Sequence, residues 1–142
     1  MILKIKKLDN SATIPEYKSS QASGMDLYSL YDSVIHPNGI QIVETGIAIE
    51  LPKGYEGQVR PRSGLATKGI TVMNTPGTID NDYRGEIKVI LINHANTSFF
   101  ITRGDKIAQL VIAKTYKVDL EEVEELNETV RGEDGFGSTG KW

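Results

Sequence analysis

The stretch GEIKVILINHANTSFFITRGDKIAQLVIAK, residues 85–114, decides the fold. Its apolar residues fall in three runs, Ile87–Ile92, Phe99–Ile101 and Ile107–Ala113, rich in β-branched and aromatic side chains and of strand length. NHANTS and TRGD separate them with turn-forming residues, and no stripe of helical period runs through the segment. The same texture continues outward. Ile2–Ile5, Ile40–Val43, Gly46–Leu51 and Ile70–Val72 read as strands, punctuated by HPNG, PKGYEG, TPG and NDYRG. Seven or more short strands joined by tight turns predict an all-β sandwich or barrel.

The remaining composition agrees. At 142 residues the chain suffices for one domain, and 14 glycines against 5 prolines suit many tight turns. Its net charge of −3 argues against a partner held by general phosphate neutralisation, so nucleic-acid coating is not expected. No apolar run approaches the roughly 20 residues of a membrane span. The N-terminal MILKIKKLDN lacks a small-residue cleavage pattern, so the expectation is a soluble protein of the cytoplasm. With no cysteine there is neither disulfide nor thiolate nucleophile, and His36 and His94 lack ligand-spaced partners for zinc.

Two segments fall outside the strand pattern. DLEEVEEL, residues 119–126, has apolar positions three apart but five acids in eight residues, and reads as a solvated connector rather than a helix. From residue 129 the chain becomes a glycine-rich arm over 129–142, with RGEDGFGSTG at 131–140, following a β domain over 1–128.

Four stretches carry more chemistry than packing demands. ASGMDLYS (22–29) places Asp26 after Gly24 in an apolar and hydroxylic run, where an Asp otherwise serves a turn. RPRSGLATKG (60–69) offers a guanidinium at Arg62, a hydroxyl at Ser63 and an accessible backbone at Gly64, a cradle for an anion. Pro61 argues against a helix there, and the spacing is not that of a P-loop. NTPGTIDNDYRGEIKV (74–89) is a hairpin-like stretch bearing Asp80, Asp82, Tyr83 and Arg84, able to present main-chain groups to a planar base and a carboxylate to water. The arm holds Arg131, Phe136, Ser138 and Thr139, a cation, a ring and hydroxyls on a flexible backbone.

In this order, and with RGDKIAQLV (103–111) as a fourth member before the arm, the stretches resemble the five motifs of the trimeric deoxyuridine triphosphate nucleotidohydrolases, the dUTPases. The resemblance spans about residues 20–140. It implies a distorted jelly roll, a homotrimer, and active sites between subunits, each closed by a neighbour's C-terminal arm. It implies hydrolysis of dUTP to dUMP and pyrophosphate with Mg²⁺, which limits uracil in DNA and supplies dUMP for dTMP synthesis.

By motif position the resemblance makes Asp80 the carboxylate that activates water and Tyr83 the ring under the deoxyribose. Asn74, Thr78, Ile79 and Lys88 contact the nucleoside. Arg62, Ser63 and Gly64 bind phosphate with Gln109 in support, and Asp26 touches Mg²⁺ through water. Arg131 acts on the terminal phosphate, Phe136 stacks on uracil, and Gly137, Ser138 and Thr139 hold phosphate. Two other readings compete: a dCTP deaminase of the same superfamily, and a dUTP-binding regulator without turnover.

Overall fold

A computed structural model describes residues 1–141; Trp142, to which sequence reasoning assigned no role, lies outside the described residues. The described residues form eleven strands and one turn of helix. The strands are β1 (Lys4–Lys7), β2 (Met25–Tyr28), β3 (Ser33–Ile35), β4 (Ile40–Glu44), β5 (Ile47–Glu50), β6 (Tyr55–Arg60), β7 (Ile70–Val72), β8 (Gly77–Ile79), β9 (Lys88–Asn93), β10 (Phe99–Ile101) and β11 (Lys106–Lys114). The helix α1 covers Ser63–Ala66. A four-stranded antiparallel sheet in the order β2-β11-β6-β8 and a three-stranded sheet β4-β9-β7 form the body, with the pairs β1-β5 and β3-β10 beside them.

The expected alternation is real where it was strongest. In β9, Val89, Leu91 and Asn93 are buried while Ile90 and Ile92 are partly exposed, the period-2 signature of a strand with one face on the core. Leu27, Ile47, Val89, Ala108 and Leu110 have no exposed surface and centre a core drawn from both larger sheets. Each large aliphatic side chain buried in this way contributes roughly 1.5–3 kcal/mol. The register of β11 against β2 shifts between Lys106 and Ala108, and at this bulge the adjacent Ile107 and Ala108 are both buried.

Buried polar groups are satisfied where they close loops. The Asn93 amide donates to the carbonyls of Ile35 (2.9 Å) and Thr97 (2.8 Å) and accepts the Ala95 N–H (2.9 Å). Thr45 donates its hydroxyl to the Ile87 carbonyl. The HPNG turn bends at Asn38, with φ 61°, a conformation that Asn tolerates.

Three local expectations are corrected. PKGYEG and TPG read as turns, yet Tyr55–Gly57 and Gly77 lie in β6 and β8. Gly57 faces Ile79 in the register, and a Cβ on it would stand 3.2 Å from Ile79 Cβ and Leu110 Cδ1, so this glycine admits a close neighbour in a strand. Pro61 does not exclude a helix after it: α1 begins two residues on, with Arg62 as its N-cap and Pro61 before the cap, where no helical N–H is lost. The hairpin-like stretch is not a ladder. β8 pairs with β6, whereas β9 pairs with β4 and β7, so the two arms part into different sheets.

Residues 119–126 are irregular and exposed, as a solvated connector should be. Among the described residues no helix is long and apolar enough to cross a membrane.

Candidate active site

The parting of β8 from β9 opens a cleft of about 210 Å³. Its lining holds Asn74, Thr78, Ile79, Asp80, Tyr83 and Lys88, all singled out in the sequence, over apolar Val59, Ile87 and Ile90, with Glu86 beside them. Asp80 is exposed at the lip, on the turn that follows β8. The volume falls below the roughly 300–1,000 Å³ of a pocket that encloses a drug-sized ligand. A cleft of this size has room for a planar ring system but not for a whole nucleotide.

The turn that carries Asp80 is tied down from three sides. Tyr83 N–H donates to the Asp80 carbonyl (3.1 Å). The Asn81 amide donates to the carbonyls of Pro52 (2.9 Å) and Tyr55 (3.0 Å), which anchors the turn to the β5–β6 connection. Arg84 donates to the Asn81 carbonyl (2.6 Å) and lies 4.0 Å from Glu50, whose carboxyl Lys4 holds below its usual range through a hydrogen bond and its charge. Sequence reasoning gave Asn81 no part; a short amide next to a candidate catalytic carboxylate was the available signal.

The tyrosine is seated with equal definition. Its hydroxyl donates to the Glu86 carbonyl at 2.7 Å, and its ring lies on Gly85.

A second group of candidates gathers elsewhere. Asp26, on β2, has its carboxylate 14% exposed, 3.5 Å from Arg62 Nε and 3.7 Å from Lys106 Nζ. Arg62 also donates to the Lys106 carbonyl (3.1 Å). Gln109 stands opposite Asp26 and Arg60 in the central strand β11 and donates its amide to the Pro61 carbonyl (3.0 Å), which buttresses the Arg62–Ser63–Gly64 turn. Gly24 makes room for this: a Cβ there would meet Gln109 Oε1 at 2.5 Å. Ser63 and Gly64 are exposed, and a Cβ on Gly64 would meet nothing within 4 Å, so internal packing does not require the glycine and its backbone is open to an outside group.

Sheet register measures the gap between the two groups. Gly77, Val59, Leu110 and Met25 lie in one row across β8, β6, β11 and β2. Three strand spacings make that row roughly 14 Å wide. Asp80 continues from Gly77 toward the β6 start, whereas Asp26 lies toward the β6 end, so the two are offset along the strands as well. The Arg62 turn leaves the end of β6, the strand next to β8, so its separation from Asp80 runs along the strands rather than across the sheet, and one chain does not bring the two together. Nor does the arm line the cleft: Phe136, Ser138 and Thr139 are exposed, and Arg131 donates to the Asp134 carbonyl (2.8 Å) within the arm itself.

Metal-binding capacity is limited. Among the described residues no group of three or more His, Asp and Glu gathers to hold an ion. Asp26 is a single carboxylate already facing two cations, so one chain by itself offers a divalent ion at most one acidic ligand there.

Comparison with known proteins gives this geometry its context. The dUTPase family model matches residues 10–140. The chain is 58% identical over 142 residues to a deoxyuridine 5'-triphosphate nucleotidohydrolase of Nautilia profundicola, covering 99% of this chain and 100% of that one. Its fold matches that of a Staphylococcus bacteriophage 80alpha dUTPase variant with dUpNHpp, with TM-score 0.90, 28% identity and 98% coverage of both chains. A variant dUTPase from phage phi11 of S. aureus, described for its coordination of a structural Mg(II) ion, matches with TM-score 0.81 and 26% identity over 88% of this chain and 98% of that one. The jelly roll anticipated from the sequence is the fold of these neighbours, and the chain belongs to the dUTPase family of dUTP diphosphatases.

Proposed function

We propose that the chain hydrolyses dUTP to dUMP and pyrophosphate at sites shared between copies, with Asp80 as the residue that activates water. The observation that carries this reading is the cleft between β8 and β9, whose lining unites Asn74, Thr78, Ile79, Asp80, Tyr83 and Lys88 while the Arg62 turn leaves the far end of β6. The base enters the cleft, where main-chain groups of Thr78 and Ile79 with Asn74 meet the uracil edge, and a 5-methyl group is refused by lack of space. Tyr83 packs under the deoxyribose and excludes a 2′-hydroxyl. Lys88 contributes a cation at the cleft wall.

Asp80 holds a water in line with the α-phosphorus and takes its proton as the water oxygen bonds to phosphorus. The bond to the bridging oxygen breaks, and pyrophosphate leaves. The phosphates lie on Arg62, Ser63 and Gly64 of a second copy, a turn supported by Gln109. A third copy's arm closes over the substrate, with Arg131 at the terminal phosphate, Phe136 on the uracil and Gly137, Ser138 and Thr139 at phosphate oxygens. When bound, Mg²⁺ neutralises phosphate charge, with Asp26 at its water shell. Positioned cations and donors carry most of such a reaction, since phosphoryl transfer asks little covalent chemistry of the protein.

With Mg²⁺ present, pyrophosphate release is expected from dUTP and not from dTTP, dCTP or UTP, measured side by side. Ammonia released from dCTP would instead favour the deaminase, and tight dUTP binding without release a regulator. Sedimentation of the full chain is expected to give three times 15.6 kDa; an active monomer would refute the shared site.

A further inference from the structure

Seven described glycines, at 46, 54, 69, 104, 132, 137 and 140, have positive φ, where any side chain is strained. Gly85 is not among them, so its backbone would accept alanine. What would not accept it is Tyr83. A Cβ on Gly85 would stand 2.5 Å from Tyr83 Oη, 2.6 Å from Cζ and 2.9 Å from Cε1, with no other residue among its nearest atoms. The same ring is held at its far end by the hydrogen bond to the Glu86 carbonyl (2.7 Å). Glu86 is fixed in turn, because its carboxylate accepts the Gly46 N–H (2.9 Å) at the entry to β5. The hydroxyl end of the ring thus packs against the one residue of its own turn that has no side chain, with the hydroxyl bonded to the next.

We infer that Gly85, with the Glu86 carbonyl, is a positioning residue that sets the height of the Tyr83 ring in the cleft and so decides between deoxyribose and ribose. The inference rests on the proposed placing of the sugar over Tyr83. Discrimination by a clash with one hydroxyl depends on the wall being held to a fraction of an ångström, and an added methyl group beneath the ring moves it by more than that. Gly85 touches no substrate itself; it acts through the tyrosine.

The test measures kcat/KM for dUTP and for UTP, with melting temperatures, in the parent chain, Gly85→Ala, Tyr83→Ala and the double variant. Gly85→Ala is expected to lower the preference for dUTP over UTP by at least about tenfold, the scale on which small misplacements act. In the Tyr83→Ala background the same change is expected to alter that preference by less than about twofold, because the methyl group no longer meets a ring. An equal drop in both backgrounds would show a backbone effect and overturn the inference. So would parental preference in Gly85→Ala when Tyr83→Ala has lost it. Parental preference in Tyr83→Ala would instead remove the sugar reading on which the inference stands. If Gly85→Ala fails to fold, recovery of folding in the double variant supports the clash with the ring, and failure of both while Tyr83→Ala folds overturns it.

Discussion

Asp80→Asn is expected to lower kcat for dUTP by about 10²–10⁴-fold, the range over which a positioned general base contributes. Binding of a non-hydrolysable dUTP analogue is expected to stay within a few-fold of the parent, measured by calorimetry. The split follows from the geometry. Asp80 is exposed at the lip of the cleft, and its turn is held by Asn81, Arg84 and the Tyr83 N–H rather than by its own carboxylate. An amide of the same shape leaves those anchors intact and removes only the ability to take a proton. Turnover at the parental rate would refute the assignment of water activation to this residue.

Deletion of residues 130–142 is expected to reduce kcat/KM for dUTP by about 10²-fold or more, while the melting temperature of the nucleotide-free protein moves by no more than about 2 °C. The contrast rests on burial. No residue described after Val111 is buried, and Val130 and Phe136 are fully exposed, so the deletion takes nothing from the core. A large aromatic side chain left wholly in water gains burial if it docks when ligand is present. A melting temperature lowered as far as a core cavity lowers it would contradict this account, as would undiminished turnover.

The legibility of the fold tracked the continuity of the apolar pattern. β7 and β10 were bounded as the structure has them, and β9 and β11 to within a residue at each end, because apolar and β-branched residues dominate their runs. β6 and β8 were hidden by Gly57 and Gly77, which serve close packing of neighbouring strands rather than turning the chain. β2 was hidden by the attention that Asp26 drew, since a strand residue beside a site carries both signals at once. α1 was missed because a proline was read as a barrier when it stands just outside the helix.

The candidate site was legible as residue types in ordered motifs, and the cleft gathers those of the third motif together. The separation of that motif from Asp26 and Arg62 was not legible, because strand order places β8 and β2 at opposite borders of one sheet, and the antiparallel register of β6 with β8 sends Arg62 and Asp80 toward opposite ends. Asn81 and Gly85 escaped notice because residue type alone does not reveal their partners, a distant turn in one case and the hydroxyl end of a tyrosine ring in the other.

That separation of Asp80 from the Arg62 turn has a consequence for how the proposed enzyme behaves when scarce. A catalyst whose carboxylate and phosphate cradle stand toward opposite ends of each copy's strands works only in company. Its rate per chain is then governed by mass action between chains, constant in concentrated solution and collapsing on dilution below the point where copies part. Such a protein meters its own activity by abundance, without any effector.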